Sequence, residues 1–379
     1  MPVRVLFDAT AIPADRGGVG RYVDALLPAL ADEGVDLRVV CQARDADQTA
    51  ALVPAADVVT VPAVVERRPA RLAWEQSGLP ALARSGRTDL LHSPHYTVPL
   101  AAPVPVVATL HDATFFSHPQ LHSPVKARFF RTWTRLAVRR AAALVVPSRA
   151  TRDEVVRYVH GDPARFTVAY HGVDTAIFHP VDAAERARVR AAVGLAEDEP
   201  YVAFLGTLEP RKNVPALIEA WVQACAGLPG TPPALVLAGG AGWDTRVDAA
   251  IAAVPAGLRL LRTGYLPLGD LAGLLSGAAV LAYPSLGEGF GLPVLEAMAC
   301  GAAVLTTREL SLPEVGGDAV AYTGTAAGQI AVALRELLDD APRREHLAAA
   351  AAERAGTFTW QAAARAHVAA YEQALAARR

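Results

Sequence analysis

The stretch AAVLAYPSLGEGFGLPVLEAMACGAAVLTT (residues 278–307) decides the fold. Val280, Leu281 and Ala282 form a short apolar run stopped by Pro284 and Ser285, the pattern of a buried parallel strand. Gly287-Glu288-Gly289-Phe290-Gly291 follows, a loop whose glycines let backbone approach a ligand. Pro293 suits the first turn of a helix and Gly301 the position just past its end. A second apolar run closes the unit. Strand, loop, helix and strand in this order direct the helix N–H groups at the loop, an arrangement suited to anions. Glu288 in the loop and Glu296 in the helix are placed to face one ligand from different depths. A carboxylate beside an anion site repels phosphate, so its partner should carry hydroxyls or developing positive charge. A sugar joined to a nucleoside diphosphate offers both.

The chain around this unit has 379 residues, enough for two domains of ordinary size. Hydrophobic residues make up 52% and charged residues 20%, which excludes a disordered chain. The net charge of −2 gives no basic field for nucleic acid. Cys41, Cys225 and Cys300 lie far apart with no metal spacing, which points to a reducing compartment. The N-terminal apolar run is too short for a signal peptide, and no segment approaches the roughly 18 apolar residues of a spanning helix. The expected location is the cytoplasm.

Strand-like and helical runs alternate from end to end, so parallel sheets wound with helices are expected. The first half offers strands at 3–7, 35–40, 58–61, 89–92, 105–110, 143–146 and 166–169, with helices at 19–32, 124–141 and 150–159. The second half starts afresh with strands at 201–205, 234–238, 258–262, 280–282 and 303–306. Its helices fall near 214–226, 245–253, 268–275, 293–300, 326–338 and 342–355, and an alanine-rich helix, 361–377, ends the chain. The domain boundary is expected between His171 and Pro180.

Two further loops suit phosphate. Asp15-Arg16-Gly17-Gly18-Val19-Gly20 precedes a helix, although a helix entry turn alone would also explain it. Its distance of about nine residues from the strand departs from the nicotinamide fingerprint, which argues against an oxidoreductase. Gly206-Thr-Leu-Glu209-Pro-Arg211-Lys212-Asn213 follows a strand and sets two cations side by side. Arg offers a fork to phosphate oxygens and Lys a point charge, a clamp for a leaving diphosphate. Asn213 is placed to cap the next helix. His111 stands at a strand's C-terminal end, where open α/β sheets bind ligands; His92, His95 and Asp174 lie nearby in sequence or near the boundary. In 126–140, Arg128, Arg131, Arg135 and Arg139 form a stripe beside Phe129, Trp133 and Leu136. Either the aromatics enter the core, or this face docks on anionic lipid.

The string from Glu288 to Glu296 resembles the E-x7-E motif of retaining GT-B glycosyltransferases of family four, and Gly206–Asn213, Leu312–Gly316 and the His111-Asp112 pair are similar to the same family. The resemblance covers nearly the whole chain. It implies two Rossmann-like parallel-sheet domains facing across a cleft, residues 1–180 on the acceptor side and 181–358 on the donor side, with the helix 359–379 crossing back to the first. It implies retaining transfer of a hexose, mannose first, from a nucleoside-diphosphate sugar to an acceptor hydroxyl of a glycan, glycolipid or small molecule. Glu288, His111, Arg211 and Lys212 would be catalytic. Gly17, Gly18, Gly206, Arg211, Lys212, Glu288, Gly289, Phe290, Gly291, Leu292 and Glu296 would bind the donor: the cations on the diphosphate, Glu296 on the ribose, Glu288 and backbone 289–292 on the sugar. No metal and no cofactor is expected, and membrane contact, if made, runs through 126–140 at the inner face. A GT-B-fold sugar-nucleotide epimerase, or a non-catalytic sugar-nucleotide-binding protein, would share these features.

Overall fold

The structure is a computed structural model that describes residues 3–14 and 16–377; Asp15 of the first glycine loop lies outside the described residues. The chain forms two compact units, one running to Gly172 and resuming at Thr359, the other Val173–Phe358.

The first unit is built on a seven-stranded parallel sheet: β1 Arg4–Asp8, β2 Asp36–Gln42, β3 Asp57–Val61, β4 Leu90–Ser93, β5 Val106–Thr109, β6 Ala143–Val146 and β7 Phe166–Val168, in the order 3-2-1-4-5-6-7. Strands β4, β5 and β6 are buried along their whole length, with β6 apolar throughout, because the sheet carries a core on each face. Along β1, Val5 and Phe7 enter one core and Leu6 the other. The second unit carries a six-stranded parallel sheet: β8 Tyr201–Leu205, β9 Ala234–Ala238, β10 Leu260–Gly264, β11 Val280–Tyr283, β12 Val304–Thr307 and β13 Ala321–Thr323, in the order 10-9-8-11-12-13. Each order reverses once, between β1 and β4 and between β8 and β11. Open sheets bind ligands beyond the carboxyl ends of the strands at such a reversal.

The C-terminal helix Trp360–Ala376 belongs to the first unit. Ala363, Ala364, Ala370 and Ala374 are buried in the core that also holds Leu26, Leu27 and Leu30 of the helix Gly17–Asp32. Alanines there let the helix sit close. Two polar residues in its buried face, His367 and Tyr371, join a chain of five fully buried side chains. His367 Nδ1 lies 2.7 Å from the carbonyl of Ala363, a pure acceptor, so that nitrogen carries the ring proton. Nε2 then accepts from Tyr22 Oη at 2.8 Å, and Tyr22 in turn accepts from Thr109 Oγ1 at 3.0 Å. Thr109 accepts from His92 Nε2 at 2.9 Å, leaving His92 Nδ1 to accept from Tyr371 Oη at 2.8 Å. Every proton in the chain is assigned if both imidazoles are neutral, and burial does lower the pKa of each, that of His367 to about 4.

Several sequence expectations shift. The boundary falls after Gly172, at the early end of the expected stretch from His171 to Pro180 and short of the 180 given to the first domain; there the backbone of Thr359 and Trp360 passes where a Cβ of residue 172 would stand, 2.2 Å from the Trp360 nitrogen. Gly17 and Gly18 form the first turn of their helix instead of preceding it. The eighteen-residue helix Arg68–Ser85 escaped the periodicity reading, since it buries the charged Glu75 and contains Pro69 and Pro80. The short β13 was missed as well.

In the helix Pro124–Arg140 the aromatic side faces the protein: Phe130 stacks on Phe115 and meets Tyr96 edge-on. Arg131 donates from Nε to the Phe115 carbonyl, and Arg135 lies over the Phe116 ring. Val125, at 81% exposure, remains outside. Among the described residues no helix is long and apolar enough to cross a membrane.

Candidate active site

The β8/β11 reversal gathers the second unit's polar residues. Beyond β8 the chain turns through Gly206 into the short helical turn Pro210–Lys212, which buries Lys212. Beyond β11 come Pro284, Ser285 and the glycine loop. Gly291 adopts φ 108°, in the left-handed region, immediately before the helix Leu292–Ala299, and a side chain there would meet Leu312 at 2.9 Å. Glycine alone allows this entry.

The two loops meet at Glu288, which is 6% exposed. Its Oε1 accepts from Lys212 Nζ at 2.7 Å, Ser285 Oγ at 2.6 Å and Tyr283 Oη at 2.9 Å. Its Oε2 is paired with Arg211, which also donates to the Gly287 carbonyl at 2.7 Å. Lys212 makes a second hydrogen bond to Tyr283 Oη, and Glu209 lies 3.6 Å from Arg211. Burial by itself would raise the Glu288 pKa; the charges of Arg211 and Lys212 and the hydrogen bonds from Lys212 and Ser285 outweigh it and hold the value at about 2. Burial, followed by the Arg211 charge, lowers the Lys212 pKa against the pull of Glu288. Burial and the Glu288 charge push the Tyr283 phenol well up, so it serves as a neutral donor.

Arg211, Lys212 and Glu288 thus form one ion cluster. Tyr283 and Ser285 complete it, and sequence reading passed over both although they lie in the stretch that decided the fold. Ser311 was missed too: its hydroxyl lies 2.8 Å from the carbonyls of both Glu288 and Phe290 and ties down the loop. Phe290 is buried edge-on to Phe358. Asn213 does not cap its helix; it adopts φ 59° and its amide donates to the Thr325 carbonyl at 2.8 Å. Glu296 is 3% exposed in the helix body. Burial and then its charge push the Cys300 thiol one turn on up to about 12.

In the first unit, His111 follows β5 and donates from Nε2 to the Pro94 carbonyl at 2.6 Å. Tyr96 binds the same pair of loops, its hydroxyl 2.8 Å from the Asp112 nitrogen and 3.2 Å from the Asp112 carbonyl. Tyr96 holds φ 54°, unusual for a bulky side chain and a mark of strain near a site. His95 and His171 lie 5.9 and 6.2 Å from the His111 ring. Burial lowers the His111 pKa, leaving a neutral ring whose Nδ1 is an acceptor. Gly17 and Gly18 are exposed, with open space around both.

A family model for Glycosyltransferase Family 4 matches residues 16–177, and one for Glycosyl transferases group 1 matches residues 185–354. An O-antigen chain mannosyltransferase B of Escherichia coli is 32% identical over 298 residues, covering 77% of this chain and 74% of its own. The chain belongs to glycosyltransferase family four. This glycosyltransferase is also 32% identical over 306 residues to a D-inositol 3-phosphate glycosyltransferase of Mycobacterium avium, covering 77% of its own chain and 68% of the relative. Sucrose-phosphate synthase from Thermosynechococcus elongatus shares the fold at a TM-score of 0.79 and 22% identity, over 99% of this chain and 100% of that one. The family-four glycosyltransferase is therefore a GT-B transferase enzyme that draws on a nucleotide-sugar donor.

Proposed function

We propose that the enzyme moves a hexose, mannose in the first instance, from a nucleoside diphosphate to an acceptor hydroxyl with retention of configuration and without a metal. The observation that carries this reading is the pair of half-buried Arg211 and buried Lys212 at the β8/β11 reversal, facing Glu288. Two cations beyond a strand end suit a diphosphate whose charge grows as the glycosidic bond breaks. The Escherichia coli relative's name supports mannose, while the mycobacterial relative's name supports a different acceptor within the same chemistry.

In this reading Arg211 and Lys212 hold the diphosphate with help from Gly206. Glu296 takes the ribose hydroxyls, Glu288 and backbone 289–292 take the sugar, and His111 offers Nδ1 to a hydroxyl. Double displacement would require a carboxylate nucleophile under the anomeric carbon. By the family resemblance Glu288 takes hydroxyls of the donor sugar, beside the ring and not under its anomeric carbon, and is poorly suited to that task. Attack on the face of the departing phosphate, whose oxygen takes the acceptor's proton, is the route we favour. A screen of nucleotide sugars by thermal shift selects the donor, since ligand at 100 times its dissociation constant stabilises by about 2.7 kcal/mol. Transfer is then run in excess EDTA and the product's anomeric signal read by NMR. Full activity with a retained anomer is expected; activity that only manganese restores, or an inverted product, overturns the respective claim.

The outward arginines of Pro124–Arg140 lead us to place any lipid-linked acceptor against this helix. Cosedimentation with phosphatidylglycerol vesicles at low salt, lost at high salt and absent with neutral vesicles, is expected. No sedimentation at low salt assigns a soluble acceptor instead.

A further inference from the structure

The ion cluster has a consequence for how the donor and its product are exchanged. Arg211 and Lys212 both direct their cationic groups at one carboxylate, Glu288. With Glu209 at 3.6 Å from Arg211, two positive charges face two negative ones, so the cluster is already balanced. A nucleoside diphosphate brings at least two more negative charges to the same N–H donors. It competes with Glu288 for those donors, and its charge repels the carboxylate.

We propose that Glu288 stands in for the diphosphate on this cation pair, and that the two anions displace each other in every catalytic cycle. The inference rests on the assignment of Arg211 and Lys212 to the diphosphate. Ser285 and Tyr283 have a defined part in it. Neither contributes charge, yet their hydroxyls lie 2.6 and 2.9 Å from Glu288 Oε1 and hold the carboxylate against the cations. Tyr283 is kept in place by stacking on Phe204. On donor binding Glu288 leaves the pair and becomes free for the sugar. After transfer, its return to Lys212 and Arg211 expels the nucleoside diphosphate. Product affinity is thereby held down by an internal competitor.

The test is isothermal titration of the full chain with UDP, GDP and ADP, using whichever the wild type binds most tightly. Glu288→Gln removes the competing charge and should tighten binding about tenfold, within the usual range of coupling between sites. Ser285→Ala and Tyr283→Phe keep that charge and loosen its seat, although they also remove a hydrogen bond to the Arg211 carbonyl and one from Lys212, respectively, and each should tighten binding about fivefold on the same scale. Product inhibition of transfer should strengthen in parallel. If Glu288→Gln binds more tightly while Ser285→Ala and Tyr283→Phe match the wild type, simple charge removal explains the result and the stand-in is wrong. Weaker binding by all three also overturns it, leaving the diphosphate assignment intact. A wild type that binds none of the three nucleotides removes that assignment, and the inference with it.

Discussion

Replacing Lys212 by alanine should lower turnover by roughly a hundredfold or more, the usual effect of deleting one electrostatic group aimed at developing charge. The side chain is buried and its ammonium is seated on Tyr283, so little reorganisation is needed once Glu288 has given way to a leaving phosphate. The charge it meets is larger in the transition state than in the bound donor, which places the loss in kcat more than in KM. A second readout separates this from damage to the fold. Lys212 is one of the two cations that hold down the Glu288 pKa, so the variant's acid limb should move upward from the low value of the wild type. An effect confined to the donor's KM, with kcat and the acid limb unchanged, would mark Lys212 as a uniform binder.

The second large effect is on stability. His92, His171 and His367 are buried in the first unit, and burial depresses all three pKa values below the ordinary 6.5. The fold therefore favours neutral rings. Its stability is complete above pH 6.5 and is lost as the pH falls toward the folded values, because the unfolded chain takes up protons first. Each such ring costs about 1.4 kcal/mol per pH unit in that window, so three give roughly 4 kcal/mol between pH 7.5 and 5.5. That is a large share of the 5–15 kcal/mol typical of a whole domain. Asp8 and Glu75, whose pKa values burial raises, gain protons earlier in the fold and offset part of the loss as the pH falls. Urea titrations at the two pH values should show a lower midpoint at pH 5.5; equal midpoints would mean that the rings carry their protons in the native state.

How much of this was legible depends on what each residue has to satisfy. Strands such as Tyr201–Leu205 and Ala143–Val146 were readable to the residue, because a strand buried on both faces must be apolar throughout. The helix Arg68–Ser85 was not, because it buries a charged Glu75, paired with Arg71 of its own helix and with Thr97 across the fold, where an apolar residue would mark the inner face. The same contrast divides the site. Glycines 287, 289 and 291, with Arg211, Lys212 and Glu288, announce themselves by residue type and spacing. Tyr283, Ser285 and Ser311 act through hydroxyls whose value comes only from where the chain folds back, and one sequence holds no sign of it. Asn213 shows the converse: a residue type suited to capping was turned by a left-handed backbone toward a distant carbonyl.

The return of Trp360–Ala376 to the first unit also bears on the order in which the protein can be made. On the ribosome, residues up to Gly172 emerge first, yet they lack the helix that supplies Ala364, His367 and Tyr371 to their core. The hydroxyl of Tyr22 and Nδ1 of His92 wait for His367 and Tyr371 until the helix Trp360–Ala376 has been synthesised. The intervening unit is continuous in sequence and has no such debt, so it is free to fold while the earlier one is still incomplete. Maturation thus runs inward from neither end: the segment born first is finished last, and its closing hydrogen bonds come from the final helix.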